Sequence, residues 1–286
     1  MNKRGLKGNA RISAIRKGSA VLWLVAAFFL LKQFGMESFG YLSLGLIFVL
    51  FLGELLTPAF FVTLQKLLGS RMRKEQYKNA ETVMRNGFTF TLLPGLLTAG
   101  ILTAMAEIIC VYIVGQPMFF YPFLLIAPSL LFILLNNCLE GYYAGTSVNF
   151  HWGRLIQLLL FIILSEIFRA VLLPYGNKVA ALLRSDDYAD VYGAMSLALA
   201  FTLSALLTFL IQGGIYLSVR RQLADLARRD TSRMRESLSV SGKIFSRSVL
   251  TYLPSQALVG CFFPVQYLIW LLGQKNAEEV PHVSGA

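Results

Sequence analysis

The sequence predicts an all-α polytopic membrane protein of about seven transmembrane helices, N-terminus inside. Three observations predict it. Of 286 residues, 56% are hydrophobic and only 14% charged, whereas a soluble domain carries about 25% charge. The apolar residues gather into stretches near the ~20 residues that a helix needs to cross a bilayer. Lys and Arg gather in alternate connecting segments, as they do in cytoplasmic loops.

The predicted spans are 18–36, 38–64, 88–114, 122–143, 155–174, 192–219 and 248–272. The first has a short clean core, Ala20 to Leu31, preceded by basic residues, as in a signal peptide. No small-residue cleavage site follows, because Lys32-Gln33-Phe34-Gly35-Met36-Glu37 leads straight into the next span, so an uncleaved anchor is expected. The second and third spans contain Pro58 and Pro94-Gly95, the fourth Pro128, and the seventh Pro254 and Pro264. Broken helices place polar backbone at transporter binding sites, although proline is also simply common in membrane helices. Residues 70–86 suggest a short interfacial helix with Glu81 and Arg85 one turn apart. Every backbone polar group in hydrocarbon must be paired within its own segment, so the spans are helices.

With the N-terminus in the cytoplasm, the inner segments 1–17, 65–87, 141–154 and 220–247 hold 21 of the 26 Lys and Arg residues. The outer connection before the sixth span is acidic, with Asp186, Asp187 and Asp190. The chain divides accordingly. A basic cytoplasmic N-terminus (1–17) precedes a six-helix lobe (18–219), a basic connector against anionic headgroups (220–247), a seventh helix (248–272) and a tail (273–286). A multi-pass protein of the cell membrane is expected, and the net charge of +11 reads as loop anchoring, not as nucleic-acid binding.

Charges inside spans carry the functional signal, since each costs about 2.5–3.5 kcal/mol at a helix centre on insertion scales. Glu54, Glu107, Glu166 and Arg169 are the candidates for a substrate or ion cavity. Glu166 and Arg169, three apart, share one helical face, and a structural pair is the alternative to cavity lining. Near the inner mouth, Glu140, His151 and Arg154 are candidates for contact with a headgroup, while Trp152 suits an interfacial belt. Cys110, Cys138 and Cys261 have no paired spacing, and His151 and His282 have no ligand partner nearby, so neither disulfide nor metal is expected. With no phosphate-cradling motif and no nucleophile beside a base, neither an enzyme nor a cofactor is expected.

The order of three segments resembles the stage V sporulation protein B-like branch of the multidrug/oligosaccharidyl-lipid/polysaccharide flippase superfamily, which includes lipid II flippases and MATE exporters. The second span resembles the family's second helix through Gly40-Tyr41, Pro58 and the basic stretch Lys74 to Arg85. The stretch IAPSLLFILLNNCLEGYYAG resembles its fourth helix through Gly141, Tyr142 and Gly145, and LIQLLLFIILSEIFRAVL its fifth through Glu166 and Arg169. The family's Arg before Gly-Tyr is Glu140 here, which removes a cation from the inner mouth.

The resemblance covers most of 15–272, the first half of a family member plus one helix. It implies a flippase for lipid-linked saccharides of cell-wall or polysaccharide synthesis, with Arg169 and Arg154 as cations for the diphosphate. Its partners would be membrane lipids and a second lobe from a homodimer or a separate chain. A MATE-like cation-coupled exporter is the alternative, suited to Glu54, Glu107 and Glu166. A non-transporting family fragment is the third.

The topology makes a direct prediction. In a cysteine-free background, Lys74→Cys should resist a membrane-impermeant maleimide in intact cells and react after permeabilisation. Labelling from outside would overturn the orientation.

Overall fold

The computed structural model describes residues 3–260 apart from Ser147, Asn149, His151 and residues 234–236. The described chain is helical throughout, with α1 Lys3–Phe34, α2 Met36–Arg73, α3 Tyr77–Ala104, α4 Phe120–Ile126, α5 Ser129–Thr146, α6 Gly153–Leu183, α7 Asp187–Arg229 and α8 Leu238–Gly260. A π-helical turn, Ile108–Ile113, and a 3-10 turn, Pro117–Phe119, join α3 to α4. Among the described residues, five segments are long and apolar enough to cross a membrane: α2, α3, Pro117–Thr146, α6 and α7. Within α1 the apolar part is Val21–Phe34. The predicted seventh span begins in α8 and runs on outside the described residues, as do Cys261 and Pro264.

The helices overrun the predicted spans. At 43 residues α7 is about 65 Å long, against a hydrocarbon core of about 30 Å. Its last three turns pack beside the end of α2 and the start of α3, burying Leu223 with Leu68, Ala80 and Val83. Residues 70–86 therefore form no separate interfacial helix. They divide between the end of α2, a tight turn in which Glu75 takes a φ of 56°, and the start of α3. Glu81 pairs not with Arg85 but with Arg220 of α7, at 3.6 Å. The Asp230 carboxylate accepts the Lys78 and Ser232 backbone N–H groups at 3.0 and 2.7 Å, which hold its pKa below the ordinary range. This is the basic end of the lobe. Glu37, Asp186, Asp187 and Asp190 mark the opposite, acidic end, where Ser38 Oγ donates to Asp190 Oδ1 at 3.0 Å.

Two close approaches organise the interior. Gly141 and Gly145, one turn apart on α5, face α2. A Cβ on Gly141 would stand 3.0 Å from the Phe61 carbonyl oxygen, and one on Gly145 2.7 Å from Leu68 Cβ and 3.2 Å from the Gln65 carbonyl oxygen. Small residues at this spacing let membrane helices touch backbone to backbone. Asn137 extends the seam by donating to Thr57 Oγ1 at 3.1 Å. The second approach brings α8 onto α2 and α3. Phe245 stacks between Phe60 and Phe90, with centroids 6.3 and 5.8 Å away, and Asn86 Nδ2 donates to Ser241 Oγ at 3.0 Å. Beyond this α8 leaves the lobe, and Leu250 is 72% exposed.

Filling the seam should be costly. Gly145→Leu overpacks a backbone contact, at about 1–3 kcal/mol or more, and lowers the thermal midpoint in detergent. Gly100→Leu, where an added Cβ meets nothing within 4 Å, leaves the midpoint nearly unchanged. Equal effects of the two would refute the seam.

Candidate functional site

A cavity of about 360 Å³ lies between α1, α2, α4–α5, α6 and α7. Helical periodicity builds its lining. Leu42, Leu46, Leu50 and Glu54 follow one another down α2 at four-residue spacing, and Ile133, Asn136, Asn137 and Glu140 share one face of α5. Gly153, Arg154, Gln157 and Phe161 open α6, while Phe201, Thr208 and Gln212 descend α7.

The lining is graded along every helix. Toward the acidic end it is apolar: Trp23 stacks on Phe161 at 5.4 Å and meets the edge of Phe201 at 6.0 Å. Toward the basic end it turns polar, with Asn136, Asn137, Glu140, Arg154, Gln157, Thr208 and Gln212 as a floor. Glu54 and Leu50, both exposed, stand where the cavity opens beside α2.

The floor holds more hydrogen-bonding capacity than it uses. Asn136 Nδ2 donates to the Ala205 carbonyl at 3.0 Å, but its Oδ1 is buried with no partner. Thr208 Oγ1 and both amide atoms of Gln212 are likewise buried and unpaired. Gln212 is fully buried, and its backbone carbonyl accepts the Tyr143 hydroxyl, which fixes that turn of α7. Each unmet group costs about 1–3 kcal/mol, so the floor is arranged for something with complementary polar atoms. Glu140, 8% exposed, is a further buried and engaged member.

The structure thus brings together Glu54, Glu140 and Arg154, and separates the other candidates from them. Glu107 is exposed just before the π-helical turn at the end of α3, outside the cavity lining. Glu166 and Arg169 also lie outside it and face α1. Their oxygen and nitrogen are 3.5 Å apart, and the Arg169 guanidinium sits over the Phe34 ring at 5.6 Å. Phe34 is the last residue of α1, so the pair is at the acidic end, and about 20 Å of α6 continues past it. His151 lies outside the described residues. Among the described residues no His, Cys, Asp and Glu side chains group as a metal site.

A search for charges passes over Asn136, Asn137, Thr208 and Gln212, which are neutral. The available signal was the adjacent pair Asn136-Asn137 in an otherwise apolar run, since amides in hydrocarbon need partners as carboxylates do.

No protein-family model matches the sequence, and no curated protein matches it either. Among solved structures, the chain is similar to a MATE crystallised in complex with MaD3S. The TM-score is 0.63 at 19% identity, covering 88% of this chain and 54% of that one. The chain therefore shares the fold of part of that MATE and spans about half the length of the chain it matches.

Glu166 Oε1 is buried with no partner, and Oε2 lies 3.5 Å from Arg169 Nη1. Arg169→Gln, which leaves that carboxylate unpaired, should therefore lower the thermal midpoint more than the Glu166→Gln/Arg169→Gln double variant. Equal losses in thermal melts would contradict this.

Proposed function

We propose that this chain is a transport lobe for an amphipathic, lipid-linked saccharide, working with a second lobe across the membrane. The observation that carries the reading is the set of unpaired buried atoms on the cavity floor: Asn136 Oδ1, Thr208 Oγ1, and Gln212 Nε2 and Oε1. Sugar hydroxyls both donate and accept, so they complement an amide that offers both. The apolar wall of Trp23, Leu42, Leu46 and Phe161 suits the carbon chain of such a cargo, and Arg154 in the same cavity suits a phosphate. The resemblance of the second, fourth and fifth spans to flippases points the same way.

Alternating access requires two bodies that rock about a central site. One lobe supplies one wall, and a second copy or a separate chain supplies the other in this reading. The opening beside Leu50 and Glu54 is then where the lobe meets its counterpart or the lipid.

One observation favours a second reading, a cation-coupled exporter. Two carboxylates, Glu54 and Glu140, share the cavity with one guanidinium, Arg154. Glu140 is buried, and a buried carboxylate can exchange a proton for an organic cation, while Glu54 stands exposed at the opening.

The two readings separate by binding in phosphatidylcholine nanodiscs, with a prenyl-diphosphate disaccharide and ethidium as probes. Gln212→Leu should weaken the disaccharide at least about tenfold, the loss of a buried hydrogen bond, and leave ethidium nearly unchanged. Ethidium binding that depends on Glu54, with no measurable disaccharide binding, would replace the flippase reading by the exporter.

A further inference from the structure

The basic end of α6 faces the cavity with more than side chains. This helix has 31 residues and begins at Gly153, with Trp152 capping it without a side-chain hydrogen bond. The Trp152 carbonyl takes the N–H groups of Leu155 and Ile156 at 3.0 and 2.9 Å. The N–H groups of Gly153 and Arg154 belong to the first turn, where no carbonyl of the same helix can reach them. Such a terminus carries a partial positive charge of about half an electron and readily holds anions.

Two buried side chains converge on it. A Cβ added to Gly153 would collide with Gln212 Nε2 and stand 3.0 Å from Glu140 Oε1. Glycine here is what lets both reach the helix start. Gln212 is fully buried, its amide unpaired on both atoms, and its NH2 is aimed at this first turn. The amide NH2 stands at the first-turn N–H groups, and Arg154 adds a guanidinium to the lining of the same cavity. A single carboxylate, Glu140, already stands against them.

We infer that the start of α6 is a subsite for a phosphate-type oxyanion, and that the Glu140 carboxylate occupies it as an internal competitor when cargo is absent. The inference rests on the reading of the cavity as the cargo site and adds its regulation. An incoming oxyanion takes the donors of Gly153, Arg154 and Gln212 while the Glu140 side chain withdraws. Ion release then restores Glu140 to the helix terminus, so the subsite never stands empty of negative charge. No covalent step is involved.

The test is binding of inorganic pyrophosphate and geranyl diphosphate to the purified chain in phosphatidylcholine nanodiscs. Glu140→Gln removes the competitor and should tighten both at least about tenfold. Glu140→Asp, which keeps the charge but draws it back from Gly153, should give a smaller gain and serves if the first variant misfolds. Adding Arg154→Gln or Gln212→Leu to either should abolish the gain. No gain in either variant, or a gain that survives both additions, overturns the inference. So does suppression of pyrophosphate binding by phosphatidylglycerol added to the discs, which would make the occupant a bulk-lipid headgroup. An uncharged disaccharide run in parallel keeps the two readings apart. A gain for pyrophosphate with no disaccharide binding supports the subsite while defeating the saccharide cargo.

Discussion

The contact between α2 and α5 is the constraint on which the rest of the lobe depends. With Gly141 over the Phe61 carbonyl and Gly145 over Gln65 and Leu68, the two backbones touch, and α5 has only one rotation about its axis that permits it. That rotation commits Glu140 and Asn136 to the cavity and leaves Asn137 at the border between cavity and seam. It also drives Tyr142 and Tyr143 into the closed basic end, where Tyr142 meets Tyr216 edge-on at 5.0 Å. In hydrocarbon there is no hydrophobic gain from helix association itself, so close packing and hydrogen bonds must supply the specificity. The seam provides the first and Asn137–Thr57 the second.

Much of this architecture was legible in the sequence because the bilayer is a demanding solvent. Length of apolar run is read straight from residues, and five of the predicted spans fall in helical segments long and apolar enough to cross a membrane. Gly141, Tyr142 and Gly145, picked out as a motif, prove to be packing residues. Helix breaks were less legible. Pro94 and Pro174 lie inside uninterrupted helices, whereas the chain leaves α-helical geometry at Met105 and over Ile108–Ile113 with no proline at all. Among the described residues, of the breaks expected at Pro58, Pro94, Pro128 and Pro254 only the one at Pro128 occurs, between α4 and α5. A proline removes one backbone donor from its helix, and in a packed membrane bundle the helix can continue past that loss.

The site was half legible for a related reason. Ionised groups stand out against an apolar background, and three of those predicted, Glu54, Glu140 and Arg154, do line the cavity. Spacing along one helix could pair Glu166 with Arg169, but not say that α6 turns this face toward Phe34 instead of Phe161's side of the cavity. Neutral Gln212 and Thr208 carry no such mark in a sequence. Their burial without partners exists only once α5, α6 and α7 are assembled.

The junction between α1 and α2 has a mechanical consequence. It is the single residue Gly35, at a φ of 85°, a conformation that side-chain-bearing residues resist. Its N–H is held by the Leu31 carbonyl at 3.0 Å, and its own carbonyl receives the Phe39 N–H at 3.4 Å. A hairpin tied so short has no slack, so its two arms cannot slide past one another at the acidic end. What remains to them is rotation about that knot, with a displacement that grows along each arm. Any gating stroke of this hairpin is therefore a lever stroke, smallest at Gly35 and widest at the basic end, where Ser19 and Glu54 flank the polar floor.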